Sequence, residues 1–244
     1  MKKHRAIALI ALIFIAAGTL VYARTGAEYL DNGFMALYYH AVRLEETFPR
    51  VNPMALAIGE FEKALRDDET SGEAMLMIGM IYQYLDRPGT ALGYFMDFAR
   101  LHPEETWIHS FIGDLYAEMG RLDEAEQSYR LAAESAPEED PFRQAYVGLG
   151  NTALERGDYA QAREAFAKAL EDAGDYFDAR LGLGKALYYL EDYEEAIAAL
   201  EVAQLQAPRS IPMFYYLGLS YEAAGLKDQA EHAFSRMKEL QESE

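Results

Sequence analysis

The sequence predicts an all-α fold, a solenoid of short antiparallel helical hairpins. Three observations carry this. Glycines recur at 79, 113, 150, 184 and 218, alanines at 91, 125, 162, 196 and 230, and a large apolar residue four places after each alanine, at Phe95, Tyr129, Phe166, Leu200 and Phe234. Within each unit apolar residues fall at helical spacing, as in Leu149, Ala153 and Leu154, or Ala162, Phe166 and Ala169. Breakers close the first four units at Pro103, Pro137, Gly174 and Pro208. Landmarks that stay in step over five units mark an internal repeat, in which stacked helical pairs build one continuous core.

Composition narrows the function. The chain has 244 residues, 22 Lys and Arg against 41 Asp and Glu, and a net charge of −19. Lys2, Lys3 and Arg5 precede every acid, so the rest is more acidic still. Nucleic acid is excluded as a partner, because phosphate binding needs clustered cations. An anionic membrane surface is disfavoured for the same reason. There is no cysteine, which removes disulfides, zinc–thiolate sites, thiol nucleophiles and a lipid-modified cysteine.

The elements follow in chain order. Residues 1–5 are cationic and residues 6–22 are apolar apart from Gly18, Thr19 and Tyr22. Two readings stay open for 1–23. One is a signal peptide leaving through Val21-Tyr22-Ala23; the other is an uncleaved signal-anchor helix, which the length of the run favours. Both place residues 24–244 on the non-cytoplasmic side, as an exported periplasmic or membrane-anchored protein. Residues 24–71 read as a degenerate, capping hairpin. A first helix from about Ala27 to Thr47 lacks the glycine landmark, and a second, Met54 to Leu65, follows the turn 49–53 and carries Ala57, Phe61 and Ala64 at the repeat's small and aromatic places.

Five units follow: 72–105, 106–139, 143–176, 177–210 and 211–244. Turns are read at Arg87-Pro88-Gly89, Gly120-Arg121-Leu122, Gly157-Asp158-Tyr159, Asp192-Tyr193 and Gly225-Leu226-Lys227, with Asp123, Asp158 and Asp228 as helix N-caps. Three extra residues in Pro137-Glu138-Glu139-Asp140-Pro141 lengthen one connector, read as a tolerated surface insertion. The glycine and alanine landmarks are expected where paired helices approach most closely, and the residue four places after the alanine is expected to fill the space between them.

These landmarks resemble the tetratricopeptide repeat, a helix–turn–helix unit of 34 residues. With each glycine at position 8, the matching places are 8, 11, 20, 24, 27 and 32. Phe98 and Met237 depart from the usual alanine at position 27. The resemblance covers residues 72–244 and implies a right-handed α-solenoid.

Searches for chemistry give nothing with the right spacing. His4, His40, His102, His109 and His232 form no HxxxH or HExxH pair. Gly182-Leu183-Gly184-Lys185 resembles the end of a phosphate loop, but Ala179 and Ala186 stand where Gly and Ser or Thr are required. Paired carboxylates such as Asp114 and Glu118 fit a solvated face better than a catalytic dyad. The expectation is a non-enzymatic chain with no cofactor and no bound metal.

The resemblance also implies a concave groove lined by first-helix positions 2, 5, 9, 12 and 13. Carried over, it nominates Tyr84, Trp107, Asp114, Glu118, Asn151, Glu155, Asp178, Lys185, Tyr188, Tyr189, Tyr215 and Glu222 as partner contacts. The family's clamp for acidic C-terminal peptides needs Lys, Asn, Asn, Lys and Arg where this chain has Leu76, Met80, Asp114, Gln144 and Gly148. An acidic, aromatic groove is expected to prefer a basic or neutral segment. The leading expectation is therefore a protein–protein interaction scaffold of the cell envelope, docking a peptide or helical segment of another envelope protein. The alternatives are a solute-binding module serving a transporter and a self-assembling structural element.

Overall fold

The computed structural model describes residues 53–135, 143–171 and 176–243. These form eleven α-helices, and the described residues contain no strand. The apolar run 6–22, the helix expected over 27–47, the turn before Pro53 and the connector 137–141 lie outside the described residues. No described helix is long and apolar enough to cross a membrane. The chain divides into two compact units, one ending at Glu105 and one beginning at Thr106.

The first unit holds α1 (Pro53–Asp67), α2 (Gly72–Tyr84) and α3 (Pro88–Leu101), packed in sequence. Ala57 and Phe61 of α1, Ile78 of α2 and Ala91 of α3 have essentially no exposed surface. Burial of a Phe or Ile side chain contributes about 1.5–3 kcal/mol each, so these positions hold the unit together. Phe98 stands where the repeat usually has alanine. It is accommodated because Gly72 lies opposite: a methyl group there would sit 2.8 Å from both the Phe98 ring and the His102 imidazole.

The second unit runs α4 (Ile108–Glu118), α5 (Leu122–Glu134), α6 (Arg143–Arg156), α7 (Tyr159–Ala169), α8 (Phe177–Tyr189), α9 (Tyr193–Gln206), α10 (Ile211–Ala223) and α11 (Lys227–Glu242). Each even-numbered helix pairs with the next odd-numbered one, and each pair packs on the following pair. The even-numbered helices also touch one another in order, α4 on α6, α6 on α8 and α8 on α10. They form one continuous layer, and that layer carries the candidate site.

The glycine landmarks are contact points for the large residue of the same hairpin. A Cβ on Gly113, Gly150 or Gly218 would lie less than 3 Å from the ring of Tyr129, Phe166 or Phe234, and one on Gly184 equally close to Leu200. Two further glycines face the same rings from the next hairpin. A Cβ on Gly148 would lie 2.3 Å from the Tyr129 ring, and one on Gly182 2.3 Å from that of Phe166. Each of these two rings is thus held between glycines of successive hairpins. Leu200 is a shorter knob, and the next hairpin has Tyr216 where the others have Gly148 and Gly182; Tyr216 packs on the cluster that contains Leu200.

The hairpin turns share one backbone device. The residue fourteen places after the start of each repeat has positive φ: Asp86, Gly120, Gly157, Glu191 and Gly225, at 57°, 71°, 80°, 64° and 78°. The following N–H closes a six-residue bond back into the first helix, as from Asp158 to the Ala153 carbonyl at 2.8 Å and from Asp192 to that of Leu187 at 3.0 Å. This is a Schellman closure, which consumes carbonyls the helix end would leave unpaired.

The geometry corrects three sequence expectations. Pro88 and Gly89 belong to the first turn of α3, and the left-handed residue of that turn is Asp86. Asp123 and Asp228 lie in the first turns of α5 and α11, where an acid still meets the positive helix end, and the cap residues are Arg121 and Leu226. Asp158 does occupy the cap place of α7, yet its side chain makes no capping bond; its φ of −84° and ψ of 63° lie outside the extended backbone a side-chain cap uses.

Candidate functional site

The layer of even-numbered helices gathers tyrosines at its α8–α10 end. Tyr188 and Tyr189 close α8, Tyr215 and Tyr216 stand on α10, and Tyr159 and Tyr193 open α7 and α9. Helical spacing places each doublet side by side, and packing of α8 on α10 brings the doublets together. Tyr159 stacks on Tyr189 with centroids 4.6 Å apart and planes 11° off parallel. Tyr216 meets Tyr188 and Tyr189 edge to face at 6.0 and 6.1 Å, and Tyr215 meets Tyr216 at 5.3 Å. The Tyr189 and Tyr216 hydroxyls are 3.2 Å apart. Offset and edge-to-face pairs of this kind contribute about 0.5–1.5 kcal/mol each beyond burial. The outermost rings stay available: Tyr189 and Tyr215 each keep 44% of their surface.

Lys185, one turn before Tyr189 on α8, lies over the Tyr216 ring at 5.3 Å. Burial pushes its ammonium below the usual lysine range, and nearby Asp178 acts in the opposite sense. Burial also raises Tyr188 and Tyr216, the latter further through its bond to Tyr189. These hydroxyls stay protonated at neutral pH and serve as donors as well as acceptors.

The α4–α6 end has the opposite character. The Tyr129 hydroxyl donates to Asp114 Oδ1 at 2.7 Å. Burial raises the Asp114 carboxyl and the Tyr129 bond opposes that rise, while Glu118 adds to it. Tyr129 is pushed far up, first by burial, then by Asp114, Glu118 and Glu155. Three carboxylates from two helices therefore act on one hydroxyl. Tyr176 donates to Gln144 and feels both Asp178 and Asp114, which joins the acidic end to the α8 side.

Of the twelve nominated residues, eleven fall in the second unit. Glu118, Asn151, Glu155, Asp178 and Glu222 are exposed on their helices. Asp114, Lys185 and Tyr188 are half-buried and already engaged as described. Trp107 precedes α4 and packs edge-on to Phe111 at 5.7 Å. Tyr84 belongs to the first unit and packs, partly buried, on its core cluster. Sequence reasoning missed Tyr216, the hub of the ring cluster, along with Tyr159 and Tyr193. The density of tyrosines from 188 to 221 was the available signal. Tyr216 stands at position 6, which is not among the groove positions 2, 5, 9, 12 and 13.

The cavities lie off this surface. One of about 360 Å³ sits between α5, α6 and α7 and is lined in part by Glu126, Arg130, Tyr146, Arg156 and Lys168. Its cations are occupied: Arg156 pairs with Glu126 and Asp123, Arg130 with Glu126, and Lys168 with Glu164 at 3.5 Å. The Arg156 pairs tie α6 to α5, and the other two lie within α5 and α7, which leaves the pocket a structural seam. A smaller one of about 270 Å³ repeats the arrangement two hairpins on, between α9, α10 and α11.

Three family models described as tetratricopeptide repeat match the chain, over residues 73–105, 108–139 and 147–211, together more than half of it. Comparison with curated proteins gives no match. Among solved structures, PilW, described as a widely conserved type IV pilus biogenesis factor, aligns with a TM-score of 0.71 at 17% identity, over 88% of this chain and 94% of PilW. Pseudomonas aeruginosa PilF aligns at 0.70 and 20%, over 87% and 92%. YrrB, described as a TPR protein with an unusual peptide-binding site, aligns at 0.59 and 17%, over 74% and 92%.

Proposed function

Since the chain is a tetratricopeptide-repeat protein, and such proteins are interaction scaffolds, we propose that it works in the cell envelope and docks a segment of another envelope protein along the even-numbered helices of its second unit. The partition into a leader at 1–23, a capping hairpin at 24–71 and five repeats belongs to the same proposal, as does the nominated set of contact residues. The observation that carries it is the tyrosine surface on α8 and α10. Rings with two-fifths of their area free, hydroxyls that both donate and accept, and a neighbouring lysine suit an extended chain better than a small solute. Small-molecule sites enclose most of their ligand, whereas this surface is open. Aromatic anchors supply much contact at low entropic cost. The envelope assignment draws on the cationic-then-apolar N-terminus and on the likeness to a pilus biogenesis factor.

The test uses the full chain in detergent, extracted beside its native membranes. Wild type is compared with a variant carrying Tyr189→Ser and Tyr215→Ala, both at exposed rings, after circular dichroism confirms equal helicity. A protein held by wild type and lost at least tenfold by the variant is the expected result. Equal capture by both would remove the tyrosine surface from the binding site. Concentration-dependent mass of the chain alone would instead favour self-assembly.

A further inference from the structure

The surface is electrically uneven, and the unevenness specifies its occupant. At the α8–α10 end the one cation among the nominated residues, Lys185, already covers a face of Tyr216. A partner cation arriving over Tyr216 would meet like charge in the place it would take. An uncharged ring meets no such conflict and finds the exposed surface that Tyr189 and Tyr215 keep. At the α4–α6 end Asp114, Glu118 and Glu155 act together on the Tyr129 hydroxyl, and that hydroxyl is a single neutral donor shared against them. Asp178 acts on Lys185 and Glu222 on Tyr188, so the α8–α10 end sets two acids against its lysine, whereas the three acids at the α4–α6 end act on a neutral hydroxyl. Asn151, exposed on α6 between the two ends, offers an amide to a passing backbone.

The distance between the ends follows from helix packing. Neighbouring helices of the layer stand about 8–10 Å apart. From the α4–α6 seam to the α8–α10 seam is two such steps, roughly 16–20 Å. An extended chain advances about 3.3 Å per residue, so the two ends are about five or six residues apart.

Resting on the docking function proposed above, we infer that the occupant is an extended segment carrying an arginine or lysine about five or six residues from an aromatic or proline ring, bound with its cation over the α4–α6 seam and its ring on the tyrosines of α8 and α10. Charge complementarity between an acidic face and a basic segment sets register and speeds encounter. The ring supplies the buried anchor.

The probe is a library of random twelve-residue peptides displayed on phage and selected on the immobilised full-length protein. Enriched sequences are synthesised and their Kd measured at low and physiological salt. The expected result is a shared pattern of a basic residue five or six places from a ring. Binding should weaken at least tenfold on an Asp114→Asn, Glu155→Gln double variant and on the Tyr189→Ser, Tyr215→Ala variant, and weaken as salt rises. Changing the peptide's basic residue to Glu should abolish binding to wild type and restore it in part on Glu155→Lys, a rescue that a misfolded variant could not produce. Peptides that need the tyrosines but carry no cation, or that ignore the carboxamide variant, would overturn this inference and leave the docking surface standing. No enrichment, or enriched peptides indifferent to every one of these substitutions, would overturn both.

Discussion

Single glycines in this chain have opposite values depending on what faces them. Gly148 presses on the Tyr129 ring and Gly182 on the Phe166 ring, each at a distance no real Cβ tolerates. The rings are buried on both sides, so neither can swing away. Gly148→Ala or Gly182→Ala is expected to destabilise by about 1–3 kcal/mol, the usual cost of overfilling a packed core. Gly93 is also inside a helix, α3, yet nothing lies within 4 Å of its missing Cβ. Gly93→Ala is expected to stabilise by about 0.5–1 kcal/mol, because alanine gives up less backbone freedom on folding. Urea titrations of the three variants check both signs. The sequence showed all these glycines, but only the repeat-marking ones declared a role. Gly148 and Gly182 carry no landmark of their own, since the ring that explains each comes from the preceding hairpin, nineteen and sixteen residues away.

At the level of the element, helix ends obey a rule that two hairpins break. The left-handed place is glycine in three repeats, but aspartate at Asp86 and glutamate at Glu191. A side chain there costs about 1–2 kcal/mol, and aspartate eases this by bonding locally where glutamate does not. Glu191→Gly is therefore expected to stabilise by about 1 kcal/mol and to raise Tm, and Gly157→Ala to lower it by a similar amount, both read by thermal melts monitored at 222 nm. The period of 34 made the helices and their pairing legible without a structure. The turn chemistry was less so: Gly89 advertises a turn, and the work is done three residues earlier by Asp86. The caps were misread for a related reason. An aspartate near a helix start suggests a side-chain cap, but the Schellman closure of the preceding helix had already fixed the backbone.

At the level of the whole molecule, the second unit is a row of hairpins in which each depends on the shape of the one before. Stability in such a stack is close to a sum over hairpins and their seams, and the seams here are not interchangeable. Phe166 requires a glycine on the next hairpin, whereas Leu200 leaves room for Tyr216. The order of the hairpins is therefore written into their side chains. A gene that copied residues 143–176 in tandem would set Phe166 against a second Gly148 and extend the stack without a clash. One that copied 211–243 would drive Phe234 into a second Tyr216. Growth by duplication is open at the repeat 143–176 and closed at the repeat 211–244, so a lineage that lengthened this protein would have to do so from its middle.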